Sequence, residues 1–228
     1  MSDQPTDPAQ QPARRDRSWL VLALFIAFVV GIVAAFSFAM RDSFSAEPQK
    51  AFELSFTDDF DRRANTGGLG TAHNGPAWTI ASGLWNVDAG RASIAFPAKD
   101  RSLAVIGNLS KPAIMARVSG KQRCGVVARY ADPKNFIGLV RVPAYGVWNL
   151  VEVRDGKETV LGKLPDVVES TVTVKIETGQ RVINAYVGLS TISVAAPSDS
   201  LVGAVGLIGY EDAAAQCVFA DLWAFSGR

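Results

Sequence analysis

The sequence predicts an all-β protein, a two-sheet antiparallel sandwich preceded by one transmembrane helix. Three observations carry this. From residue 51 onward, short runs of alternating or β-branched residues are separated by Gly, Pro, Asn and Asp, and no helical period is sustained. There are about a dozen such runs, spaced at the interval of roughly 8–12 residues typical of sandwiches. Ahead of them lies an apolar run from Trp19 to Met40 without a charged residue. A run of that length crosses a hydrocarbon core of roughly 30 Å at about 1.5 Å per residue.

The elements follow in chain order. Residues 1–18, rich in Pro, Gln, Asp and Arg, read as a disordered cytoplasmic tail. Arg14, Arg15 and Arg17 stand before the run of residues 19–40, and only Arg41 and Lys50 follow it. Basic residues favour the cytoplasmic side, so the N-terminus is expected inside. The chain is then attached to the cell membrane by one helix, in single-pass topology. A cleaved signal peptide is the alternative, with Ser37-Phe38-Ala39 as small residues near a cleavage point. Residues 41–50 form a polar linker, and residues 51–228 form one extracytoplasmic domain.

Within that domain the expected strands include AFELSF (51–56), LWNVD (84–88), RASIAF (91–96), SLAVIGN (102–108) and AIMARVS (113–119). CGVVARY (124–130), NFIGLVRV (135–142), VWNLVEV (147–153) and STVTVKIE (170–177) continue the series. RVINAYV (181–187), TISVA (191–195), AVGLIGY (204–210) and CVFADLWAF (217–225) complete it. Asp155-Gly156 marks a tight hairpin, because both positions must tolerate positive φ. Thr178-Gly179 marks another tight connection.

The formal charge is +1, with no field to steer nucleic acid, so nucleic acid is excluded as a partner. His73 is the single histidine, which excludes histidine-rich metal catalysis. The two cysteines, Cys124 and Cys217, both fall in the outer domain, where an oxidising exterior permits a disulfide. The competing reading makes each a small buried apolar residue.

The order of certain motifs carries a resemblance. FTDDFDR (56–62) opens the domain, and WTIASGLWNVDAGRASI (78–94) follows a glycine-rich loop. Then come CGVVARYADPKNFIGLVRV (124–142), VWNLVEVRDGKE (147–158) and a closing VGLIGYEDAAAQCVFADLWAF (205–225). This resembles the concanavalin A-like, or laminin G-like, superfamily, and in particular its bacterial and phage modules that begin D-D-F-[DN]-R. The resemblance implies a jelly-roll sandwich. It departs at the closing strand, where Ala220 and Leu222 replace an acid and an aromatic.

Glycoside hydrolases of that superfamily carry paired acids as E-x-D-x-x-E, and this chain has no such motif. Glu152 and Asp155 read as solvated hairpin residues. His73 lies in a loop without an identified partner, and Gly67-Gly68-Leu69-Gly70 lacks the Lys-Ser/Thr pair of a phosphate loop. The resemblance makes the first and last strands neighbours, so Asp58, Asp59 or Asp61 would approach Asp221. A structural calcium held by Asp58, Asp59 and Asp221 is one reading, and turn capping is the other.

Sugar-binding modules expose flat aromatic rings, and Trp85, Tyr145, Trp148 and Tyr210 are the candidates for ligand contact. The tryptophans lie in strands and compete with a core reading, whereas the tyrosines lie at loops. A basic cluster, Lys99, Arg101, Lys111, Arg117, Lys121, Arg123, Arg129 and Lys134, suits either a polyanion or a solvated face. The expected function is a membrane-anchored, non-catalytic module binding glycan or protein at the cell envelope. A carbohydrate-active enzyme and a structural envelope subunit are the alternatives.

Overall fold

The computed structural model describes residues 52–167, 169–197, 202–210 and 217–227. In chain order the strands are β1 (Phe52–Asp58), β2 (Asn65–Thr66), β3 (Thr79–Ser82), β4 (Leu84–Asp88), β5 (Arg91–Phe96) and β6 (Arg101–Ser110). Next come β7 (Ala113–Ser119), β8 (Cys124–Asp132), β9 (Asn135–Val142), β10 (Val147–Arg154) and β11 (Lys157–Pro165). The last are β12 (Thr171–Thr178), β13 (Val182–Val187), β14 (Ser190–Ala195), β15 (Val202–Tyr210) and β16 (Val218–Gly227). The one helical element among the described residues is a 3-10 turn, Pro143–Tyr145.

These strands form two antiparallel sheets. The nine-stranded sheet runs β14-β13-β12-β7-β16-β5-β4-β2, with β1 also paired to β16. The seven-stranded sheet runs β11-β10-β9-β8-β15-β6-β3. Between them lies a continuous apolar core that includes Trp85, Ile94, Ile106, Ile114, Leu139, Trp148, Leu150, Ile176, Leu207 and Phe219. A disulfide between Cys124 and Cys217 ties the two layers together, with Cα atoms 6.3 Å apart and a sequence separation of 93.

A second apolar cluster lies on the other face of the seven-stranded sheet. Leu103, Val105, Val127, Phe136, Val140, Val151, Val153, Ile208 and Tyr210 form it. On β9 the side chains divide cleanly, Ile137 and Leu139 to the main core and Phe136 and Val140 to the second cluster. Strands buried on both faces read as continuous apolar runs rather than as alternation. That is why NFIGLVRV and AVGLIGY show no polar face in the sequence.

Two local motifs explain the hairpins around β9 and β10. Asp155 and Gly156 both have positive φ, 51° and 82°, as a two-residue primed turn between β10 and β11 requires. In the β8–β9 turn, Asp132 accepts hydrogen bonds from the Lys134 backbone N–H at 2.7 Å and from the Asn135 amide at 2.9 Å. These donors hold the Asp132 carboxyl below its ordinary range, the Asn135 amide most of all. Asn135 Oδ1 in turn accepts from the Asp155 backbone N–H at 3.1 Å. The D-x-x-N motif is therefore a lock between neighbouring turns.

The sequence reading needs correction at the N-terminal side. The tail, the helix over residues 19–40 and the linker lie outside the described residues. Among the described residues no helix is long and apolar enough to cross a membrane. A span needs about 20 helical residues, and the described chain offers one three-residue turn. The fold class of the described residues is accordingly an all-β, two-sheet antiparallel sandwich, with no transmembrane helix among them. Membrane attachment, the single-pass location and the membrane-anchored function are set aside with that helix, since the apolar run and the arginines flanking it had carried them.

Candidate functional site

The seven-stranded sheet curls strongly enough to bring two of its opposite corners together. Ile208 shares a row with Gly125 and Val140, and Tyr210 lies two residues further along β15. Glu158 shares a row with Val153 and Phe136, four residues before Val140. On a flat sheet those two rows would be about 20 Å apart at roughly 3.3 Å per residue. Instead Tyr210 Oη donates to Glu158 Oε2 at 3.0 Å, and Arg123 Nη2 donates to Glu158 Oε1 at 2.9 Å. Arg101, paired with Tyr210 in the register, sits 5.7 Å from the Phe136 ring centroid. Sheet twist accumulated over seven strands closes this diagonal, and the second apolar cluster lies on the same concave face.

The closure leaves a pocket of about 970 Å³ whose walls come from both corners. Ser82, Lys99, Asp100, Arg101 and Tyr210 stand on one side; Lys134, Gly156 and Glu158 stand on the other, with Arg123 bridging them. The volume lies within the range of small-ligand sites, about 300–1,000 Å³. Arg123 stacks its guanidinium 3.7 Å from the Tyr210 ring centroid. Arg101 adds a longer ion pair to Glu158, at 3.6 Å. Burial, then the Glu158 charge, pushes the Tyr210 hydroxyl up to about 12, so it remains a donor at neutral pH.

Of the aromatic candidates, Tyr210 lines this pocket, whereas Trp85 and Trp148 have no exposed surface and are core residues. Trp85 packs on Phe219 with centroids 5.9 Å apart and donates to the Ser82 carbonyl at 3.1 Å. Trp148 donates to Asp166 at 2.8 Å. Inward positions on β4 and β10 account for both, since large rings fill the space between sheets. Tyr145 is 80% exposed in the 3-10 turn, beside a smaller pocket of about 360 Å³ that Lys121, Arg141 and Asp166 help to line.

The acids named for calcium are not assembled into one site. Register places Asp58 opposite Leu222, next to Asp221, yet each carboxylate is already engaged elsewhere. Asp58 is fully buried and accepts from Arg62 at 2.6 Å, Trp78 Nε1 at 2.6 Å and the Phe60 N–H at 3.0 Å. Asp59 caps the Asp61 N–H at 3.0 Å, and Asp221 accepts from Arg117 at 2.7 Å. No group of three or more metal-ligating side chains occurs among the described residues. Arg62 supplies the positive charge a buried Asp58 needs, and a cation there would meet that guanidinium.

The basic cluster is likewise divided. Lys99, Arg101, Arg123 and Lys134 join the larger pocket; Lys121 lies at the smaller one, and Arg129 is buried, donating to the Gly179 carbonyl. Sequence reasoning missed Glu158, which looks like any polar residue after a hairpin turn. No local signal marks it, because its partners come from the far corner of the sheet.

No protein-family model and no curated protein sequence matches this chain. Solved structures match its fold. The carbohydrate-binding module CBM66 from Bacillus subtilis superposes with a TM-score of 0.56 at 14% identity, covering 67% of this chain and 98% of that one. A β-glucanase from Bacillus licheniformis gives 0.53 at 9% identity, covering 77% and 99%. A xylan β-1,4-xylosidase from Bacillus halodurans gives 0.52 at 13% identity over 80% of this chain but 40% of its own. The chain thus has a β-sandwich fold related to those of carbohydrate-binding and carbohydrate-active proteins, and at these identities the likeness is one of fold.

Proposed function

We propose that residues 52–227 form a carbohydrate-active β-sandwich domain of concanavalin A-like type, which engages a saccharide in the pocket on the concave face of its seven-stranded sheet. The observation that carries this reading is the pocket itself. It combines a ring, Tyr210, with hydroxyl, carboxylate and cationic groups from two corners of the sheet. Sugars suit that lining, since their hydroxyls take directed hydrogen bonds from hydroxyl, carboxylate and cationic groups, while the Tyr210 ring lies buried beneath Arg123. The fold relatives named above, a carbohydrate-binding module and two glycan hydrolases, support the same substrate class. Among described residues Asp100 and Glu158 are the carboxylates of the pocket, so any acid–base chemistry would fall to them.

The test presents the full chain with an oligosaccharide panel and measures both binding by calorimetry and bond cleavage by release of reducing ends. Binding or cleavage that is lost in Lys99→Ala/Lys134→Ala supports the reading. Failure to bind or cleave any saccharide in the panel overturns it.

A further inference from the structure

The charge balance of the pocket points to its ligand class. We infer that the saccharide is acidic, a uronic-acid oligosaccharide whose carboxylate is received by Lys99, Lys134 and Arg123; this rests on the saccharide reading above. Among the described residues four cations line the pocket against two carboxylates. The chain as a whole is nearly balanced, 23 basic side chains against 22 acidic, so the excess is local. Glu158 engages Arg123 and Arg101. Among the described residues Lys99 and Lys134 form no salt bridge, and both are exposed at the pocket wall.

Arg123 is prepared for the role. Its guanidinium is held flat on Tyr210, which fixes the plane of its donors. One edge is used by Glu158, while its buried Nε has no hydrogen-bond partner among the described residues. The guanidinium remains a cation at the pocket wall, to which an incoming carboxylate adds a charge-assisted hydrogen bond. A neutral sugar would desolvate the same cations and return no charge for them.

The closing experiment titrates the full chain with galacturonate, glucuronate and alginate oligosaccharides, with their methyl esters, and with neutral xylo-, arabino- and gluco-oligosaccharides. Poly-glutamate is the charge-matched control. We expect the free acids to bind at least about tenfold more tightly than the esters, as charge-assisted hydrogen bonds imply. That preference should shrink between about 0.01 M and about 0.15 M salt. Lys99→Ala/Lys134→Ala should abolish the preference, and Lys99→Arg/Lys134→Arg should retain it. Glu158→Gln, which removes the competing carboxylate, should strengthen binding of the free acids. Near-ultraviolet circular dichroism checks that each variant keeps its fold.

Equal binding of acids and esters, or binding of neutral sugars alone, overturns the acidic specificity and leaves the saccharide reading standing. Poly-glutamate binding as tightly as the best uronate overturns it in favour of an unselective polyanion surface. No binding by any saccharide sinks both.

Discussion

Asp58 shows how much a single side chain of this fold can carry. It is wholly buried, and its two oxygens receive the Arg62 guanidinium, the Trp78 indole and the Phe60 backbone N–H. Removing it leaves the Arg62 cation without its counter-charge and a buried indole without an acceptor. Asp58→Ala is expected to cost about 3–5 kcal/mol, the range for breaking a buried pair, and urea denaturation would read the change. Tyr186 and Tyr210 make a second expectation. Burial, then Glu177 for Tyr186 and Glu158 for Tyr210, pushes both hydroxyls from the ordinary value of 10.0 up to about 12. A raised pKa means that the stability these groups contribute is complete below pH 10 and is lost as pH climbs toward 12. Tyrosinate absorbance should therefore show Tyr186 and Tyr210 titrating late, their ionisation accompanying loss of stability. Ionisation of both near pH 10 in the intact fold would contradict this.

At the scale of elements, two glycines separate backbone conformation from packing. Gly156 sits at φ +82°, and a Cβ there would make only an ordinary contact, 3.8 Å from the Lys134 side chain. Gly156→Ala should cost about 1 kcal/mol through backbone strain. Gly125 lies in mid-β8, where a Cβ would overlap the Leu139 carbonyl of the neighbouring strand. Gly125→Ala should cost about 3 kcal/mol or more, because two paired strands must move apart. Denaturation midpoints of the two variants test the contrast, and equal losses would refute it. The Asp155-Gly156 turn was legible in the sequence because a primed turn admits few residue pairs. Strand β3 was not, since a four-residue edge strand carries too little pattern to stand out from its loop.

For the whole molecule, the disulfide sets the expectation. Cys124 opens a strand of one sheet, and Cys217 immediately precedes β16 of the other. Closing 93 residues of chain restricts the unfolded state most, and reduction should lower stability by about 4 kcal/mol in the chain-entropy model. Melting with and without reductant checks this, and an unchanged melting temperature would exclude a stabilising bridge. The same global geometry makes the pocket. Tyr210 and Glu158 meet because the sheet curls, so a variant that flattens the sheet would separate them while leaving each strand paired.

By itself the sequence determined the β character of the domain. Branched and aromatic runs, Gly and Asp punctuation and the Asp155-Gly156 turn are local features whose physics is complete within a few residues. Tertiary structure alone decided which face each apolar residue takes. NFIGLVRV is buried on both sides, and no alternation exists to tell Phe136 from Ile137. It also decided that Trp85 and Trp148 fill the core while Tyr210 lines the pocket. Asp58 and Asp221 are near neighbours in register yet serve different cations, because Asp58 is buried with Arg62 while Asp221 meets Arg117 at the surface. Glu158 gains its role from a corner of the sheet that register alone would hold about 20 Å away, and twist summed over many strands is a property no short segment contains.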